Sequence, residues 1–170
     1  MSPTLVVVNF AYGSNMLWRR LRARVPSARP LGTAILHGHR LHWHKSGRDG
    51  SGKCDVVPTA EAGHAVHGVL YEMLAAEQPA LDLAEGLGAG YDLKQVEVEA
   101  RDGPVTAFLY QATLTDPDLR PYHWYKAIVV AGAREHGLPA DYVARLEAAL
   151  AIDDPDAARH AEHIALTAPR

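Results

Sequence analysis

The stretch Phe10-Ala11-Tyr12-Gly13-Ser14-Asn15-Met16 is where residue type and order first suggest chemistry. The apolar run before it, Leu5-Val6-Val7-Val8, is too short for a helix and reads as a buried strand. Gly13 permits a sharp turn, and Ser14 or Asn15 can cap a helix whose apolar face begins at Met16, Leu17 and Leu21. A strand handing over to a helix in this way leaves several backbone N–H groups around one space. That space suits a carboxylate or a developing oxyanion. By pattern alone, an ordinary strand-to-helix turn has the same look.

Other chemical-looking groups carry less. Gly47-Arg48-Asp49-Gly50-Ser51-Gly52-Lys53 has the spacing of a phosphate-binding loop, but Cys54 stands where magnesium ligation wants Ser or Thr. The strand-like residues that follow run into Pro58, so no helix start faces the loop, and it reads as a mobile hairpin loop near a cleft. On a single strand, His37 and His39 would face one way and His42 and His44 the other. Four ligands do not converge there unless Gly38 kinks the chain, and no metal is assigned. Gly86, Gly88 and Gly90 follow a helix and precede a strand, the reverse of a dinucleotide fingerprint. Ser14 lacks the Gly-x-Ser-x-Gly setting of a hydrolase nucleophile, and Cys54 has no sequence neighbour that would activate it.

The elements that must position these residues follow from periodicity and turn signals. A first helix is expected from about Asn15 to Arg24, its arginines at 19, 20, 22 and 24 forming a solvated face. Gly32 to His44 reads as a strand broken at Gly38, with Leu41 and Trp43 as its buried side; Cys54 to Val57 and Ala65 to Met73 are two more strands. Ala76 to Glu85 reads as a helix with Pro79 in its first turn and Gly86 as its stop. Tyr91–Ala100 and Val105–Gln111 form a hairpin around Asp102-Gly103. Helices are expected to His136, from Pro139 to about Leu150, and near residues 155–166, the last capped by Asp154-Pro155. This order predicts an α+β fold with a mostly antiparallel sheet.

Composition narrows the classes of partner. The 170 residues are one domain's worth: a core over about 5–150 with a helical extension over 151–170. A net charge of −3 implies no general attraction to nucleic acid or to an anionic membrane. The longest apolar run, Ala127 to Ala133, falls far short of the ~20 residues needed to span a bilayer. With one cysteine and no signal-like N-terminus, a cytoplasmic protein is expected.

Phe10-Ala11-Tyr12-Gly13-Ser14-Asn15 followed by an apolar residue resembles the signature loop of the γ-glutamylcyclotransferase family. Leu81-Asp82-Leu83-Ala84-Glu85-Gly86 is similar to the family's Leu-Asp-x-x-Glu-Gly segment, which carries its catalytic glutamate. Tyr125-Lys126, leading into Gly132-Ala133-Arg134-Glu135-His136-Gly137-Leu138-Pro139 and Tyr142, is similar to the C-terminal stretch of the vertebrate-type enzymes. The three blocks keep the family's order and rough spacing.

The resemblance implies a small mixed β-barrel flanked by helices, and a substrate carrying a γ-glutamyl group. The substrate's own α-amine attacks its γ-carbonyl carbon, closing the ring of 5-oxoproline and expelling an amino acid or amine. Ring closure is intramolecular, so neither a protein nucleophile nor a cofactor is required. One carboxylate can take the ammonium proton and return it to the leaving nitrogen. The resemblance gives that role to Glu85, whereas from pattern alone it is a glutamate at the end of a surface helix. Asp82, three residues earlier, is expected to bond structurally to the following turn. The segment from Asn9 through Phe10, Ala11, Tyr12 and Gly13 to Ser14 is expected to line the opposite wall, acting mainly through its backbone. Tyr125 matches a family tyrosine that reaches the substrate. Tyr91 is the weaker candidate, because the chain is one residue shorter than the vertebrate-type pattern between Glu85 and Tyr91. A homodimer is what relatives suggest. The alternatives are a barrel that binds a small carboxylate or γ-glutamyl peptide without turnover, and a cyclotransferase for a γ-glutamylamine or γ-glutamyl-protected metabolite.

Overall fold

The computed structural model describes residues 3–169. Its strands are β1 (Val6–Ala11), β2 (Arg29–His37), β3 (His39–Ser46), β4 (Gly52–Pro58), β5 (Ala65–Leu74), β6 (Tyr91–Ala100) and β7 (Gly103–Ala112). Its α-helices are α1 (Trp18–Arg24), α2 (Gln78–Glu85), α3 (His123–Glu135), α4 (Ala140–Glu147) and α5 (Ala157–Ile164). Five strands close into a barrel in the order β1-β5-β2-β6-β7, while β3 and β4 form a separate two-stranded arm. Barrel neighbours are antiparallel except β1 and β7, which meet in parallel where Asn9 lies opposite Phe108. The Asn9 amide reinforces that seam, its Nδ2 donating to the Phe108 carbonyl at 3.1 Å. This is the mixed, mostly antiparallel barrel that the family resemblance implies.

Alternation explains which way the strands face. In β6 and β7, Val98, Ala107 and Leu109 are buried, while Glu97 and Thr106 are exposed. β5 is covered on both sides, and four consecutive residues, Gly68 to Tyr71, are buried. α3 supplies the other half of the core through Trp124, Ile128, Val129 and Ala133. Gly86 ends α2 at φ +76°, where a side chain would be strained, and the Leu87 N–H reaches back to the Asp82 carbonyl at 2.9 Å. The chain is thereby turned out of the helix directly after Glu85.

Several expectations are corrected. The first helix does not begin at Asn15: Ser14–Met16 form a single 3-10 turn, Leu17 is extended, and α1 starts at Trp18. Neither Ser14 nor Asn15 caps it with a side chain. His37 and His39 do not share a strand, because Gly38 (φ +70°) sends the chain from the barrel into the arm. His37 pairs with Glu99, and His44 Nε2 lies 2.7 Å from Asp55 Oδ2. Among the described residues, no group of His, Cys, Asp and Glu could hold a metal ion. The Gly47–Lys53 segment is stapled rather than loose: Asp49 accepts from Ser51 and Lys53, and the Tyr122 phenol donates to its carbonyl at 2.9 Å.

At the C-terminal end Asp156, not Asp154, caps α5 by accepting the Arg159 N–H at 3.0 Å. Asp154 instead takes the Arg159 guanidinium at 2.6 and 2.5 Å and the Trp124 indole N–H at 2.8 Å, tying α5 to α3. Its bonds to Arg159 hold the Asp154 carboxyl well below the ordinary value of 3.8. A depressed carboxylate contributes stability above its unfolded pKa and loses it as pH falls toward the folded one. Acidification below about pH 4 should therefore loosen α5 before the barrel unfolds. Asp154→Asn should move that loosening to neutral pH. Trp124, stacked on His163 at 4.1 Å, provides the fluorescence signal, and an unchanged acid titration in the variant would refute the tie.

Candidate active site

Six strands and helices and one turn converge on a single cleft. β1 brings Asn9, Phe10 and Ala11; the turn after it brings Tyr12 to Asn15; α2 ends on Glu85; and Cys54, Tyr91, Tyr110 and Tyr125 complete the lining. All nine residues singled out from the sequence, Asn9 to Ser14 with Glu85, Tyr91 and Tyr125, line this cleft. Its inner end is narrow, about 30 Å³, enough for one water-sized or carboxylate-sized group. The cleft opens past Ser14, Glu85, Tyr91 and Tyr125 into a vestibule of about 500 Å³.

Glu85 is held by one oxygen. Its Oε1 accepts from Asn15 Nδ2 at 2.6 Å and from Arg24 Nη1 at 3.0 Å, and Arg24 also reaches Asn15 Oδ1 at 3.0 Å. The side chain is 15% exposed. Among the described residues, Oε2 has no partner. A carboxylate fixed through one oxygen and open at the other is positioned to exchange a proton with a ligand.

On the facing wall, no acceptor among the described residues takes the backbone N–H of Tyr12 or Gly13. Gly13 has a negative φ (−117°), so it is not there for a left-handed turn. It is there for space: a Cβ would lie 3.1 Å from Cys54 Cβ and 3.3 Å from the Tyr125 phenol oxygen. Asn9 is also among the lining residues, and its buried Oδ1 lacks a partner among the described residues.

The tyrosines differ in what they do with their protons. The Tyr12 phenol donates to the Tyr110 carbonyl, Tyr91 to the Cys54 carbonyl at 2.7 Å, and Tyr110 to Asp82 Oδ1 at 2.6 Å. Asp82 is thus bonded to β7 rather than to the following turn. Tyr125 instead accepts the Cys54 N–H at 3.0 Å, which leaves its own proton for a ligand or for the neighbouring thiol. Burial pushes Tyr12, Tyr91 and Tyr125 well above the ordinary phenol range, so all three stay neutral. Burial likewise pushes the Cys54 thiol up to about 12, which keeps it protonated and unsuited to nucleophilic attack.

Asn15, Arg24 and Tyr110 were not singled out from the sequence. The arginines of α1 do not form one solvated face: Arg24 pairs with Glu85, and Arg20 Nε donates to Ser14 Oγ at 3.1 Å. The available signal was their spacing. Arg20 and Arg24 each precede by one position a member of the buried stripe Leu17-Leu21-Val25 and so flank it.

A closed barrel with a glycine turn facing one anchored carboxylate defines the class of site. Comparison places the chain within it. Residues 65–146 match the model of the AIG2-like family. The chain is 33% identical over 144 residues to the human protein named γ-glutamylcyclotransferase, covering 82% of this chain and 76% of that one. It is 32% identical over 142 residues to the bovine protein of that name, covering 81% and 75%. A solved structure described as a γ-glutamyl cyclotransferase superposes with a TM-score of 0.85 at 28% identity, covering 95% of this chain and 99% of the other. The chain belongs to the γ-glutamylcyclotransferase family, a family of enzymes.

Proposed function

We propose that the cleft cyclises γ-glutamyl compounds, releasing 5-oxoproline and an amino acid or amine, and that Glu85 carries the proton between the two nitrogens. The observation that carries this reading is the half-open carboxylate, with Oε1 anchored on Arg24 and Asn15 and Oε2 unpartnered at the cleft mouth.

The narrow end has room for one end of the γ-glutamyl group. The free N–H groups of Tyr12 and Gly13 are suited to its carboxylate or to the oxyanion that forms on the γ-carbonyl, and the Tyr125 phenol is a neutral donor beside them. Glu85 removes a proton from the α-ammonium, and the freed amine adds to the γ-carbon. As the tetrahedral centre collapses, the C–N bond to the leaving group breaks, the same carboxyl protonates that nitrogen, and the ring nitrogen releases its remaining extra proton to solvent or to the freed amine. The protein adds no atom to the product. Asn9 Oδ1, a buried acceptor without a donor, fits the α-amine. In this reading the protein acts on a small molecule in the cytoplasm, without a cofactor, as a homodimer.

Incubation with γ-glutamyl-alanine, followed by chromatography for 5-oxoproline, tests the proposal. Stoichiometric 5-oxoproline and alanine are expected. Tight binding of γ-glutamyl compounds with no product from any of them would make the barrel a binding module instead.

A further inference from the structure

The vestibule outside Glu85 is far more positive than a chain with a net charge of −3 would require. Arg20 and Arg24 enter it from α1, and Lys45, Arg48 and Lys53 from the arm, against only Asp49 and Glu85. Arg24 is matched by Glu85 at 3.0 Å and Lys53 by Asp49 at 2.8 Å. Arg20, Lys45 and Arg48 have no carboxylate partner among the described residues.

Lys45 is the most informative of the three. It is only 8% exposed and makes no hydrogen bond to an oxygen among the described residues; its Nζ sits 4.5 Å from the centre of the Tyr91 ring. Lysines are rarely buried to this degree unless paired, because a desolvated ammonium without a counter-ion is costly. Arg20 bears a similar burden: it shares a helix face with Arg24 at a spacing where like charges repel. Burial lowers the Lys45 ammonium from its ordinary range and brings Arg20 down to about 10. Three cations, one from α1 and two from the arm, each lacking a carboxylate partner among the described residues, describe a site whose counter-charge arrives with the ligand.

The position of the site says which part of the ligand that is. The inner end is too small for a whole substrate, and the nitrogen protonated by Glu85 must lie where cleft and vestibule meet. The leaving group therefore extends into the vestibule. One α-carboxylate, which any leaving amino acid has, answers one cation and leaves two.

On the cyclotransferase reading above, we infer that the preferred substrate is a γ-glutamyl derivative of an acidic amino acid. Its leaving half brings two carboxylates to Arg20, Lys45 and Arg48. The chemistry is unchanged: the γ-amide bond breaks, the ring C–N bond forms, and the α-ammonium gives up two protons, one passing through Glu85 to the departing nitrogen and the other to solvent or to the released amine.

The test compares kcat/KM for 5-oxoproline release from γ-glutamyl-glutamate, γ-glutamyl-alanine and γ-glutamyl-methylamide. The order should follow the number of leaving-group carboxylates, with γ-glutamyl-glutamate at least about tenfold ahead of γ-glutamyl-alanine and the gap narrowing at high salt. Arg48 is exposed, so Arg48→Glu should fold normally; it should collapse the glutamate-to-alanine ratio mainly through KM, and Lys45→Met should do the same if it folds. Equal or better turnover of γ-glutamyl-alanine, or a ratio unmoved by Arg48→Glu, would overturn the acidic subsite while leaving the cyclotransferase intact. No 5-oxoproline from any of the three donors would remove both.

Discussion

Glu85→Gln is expected to lower kcat for 5-oxoproline release by about 10²–10⁴-fold, the range typical for losing a positioned acid–base group. The substitution is conservative where structure is concerned. A glutamine oxygen can still accept from Asn15 Nδ2 and Arg24 Nη1, the two bonds that anchor Oε1 at 2.6 and 3.0 Å. What disappears is the ability of the second oxygen to take a proton and return it. The variant should therefore bind γ-glutamyl compounds with little change in affinity and melt within a few degrees of the parent. Arg24 stays 25% exposed and keeps its hydrogen bonds to Asn15 Oδ1 and to the glutamine oxygen, so its charge is not left stranded. Single-turnover kinetics with a γ-glutamyl donor, alongside isothermal calorimetry on the same preparation, separate the two effects. Activity within about fivefold of the parent would take the proton shuttle away from Glu85 and send the search to the Tyr125 phenol.

The arrangement around Glu85 also shows what could and could not be read before the structure. The barrel strands were legible because their signals are local. Val96 and Val98 alternate with Glu97 and Glu99, Asp102-Gly103 turns the hairpin, and Gly86 stops α2. Closure was not legible from pattern, because it depends on Asn9 meeting Phe108 some hundred positions away. Asn15 looked like a helix cap because nothing near it in sequence offers it a partner, yet its amide is spent on a glutamate 70 residues downstream. Arg24 looked like a solvated cation for the same reason. Of the three unmatched cations of the vestibule, Lys45 and Arg48 are neighbours in the arm but Arg20 comes from α1, so no short sequence window contains all three. Residues that act through tertiary partners are hidden for that reason, whereas residues that shape their own turn are not.

Gly132 links fold to site, and Gly132→Ala is expected to destabilise the protein, against the usual trend for helices. In the interior of an exposed helix, replacing glycine by alanine gains about 1 kcal/mol of helix propensity. Gly132 lies in α3 against the turn that follows the signature segment. A Cβ there would sit 2.5 Å from the Leu17 backbone nitrogen, 2.7 Å from Met16 Cβ and 2.8 Å from the Met16 carbonyl carbon. These atoms cannot swing aside as the tip of a long side chain would. The Met16 carbonyl is itself held by the Tyr71 phenol at 2.7 Å and by His136 Nε2 at 3.0 Å. Either α3 or the Ser14–Met16 turn must move, and overpacking of this kind costs about 1–3 kcal/mol, occasionally more. A net loss of about 1 kcal/mol corresponds to roughly 2–4 °C in Tm for a chain of this size. The displaced turn carries Ser14 and Asn15, so kcat/KM should fall even at temperatures where the variant is fully folded and Glu85 is untouched. A thermal melt that rises, with activity preserved, would mean that α3 does not press on the turn and that the cleft owes its shape to the barrel alone.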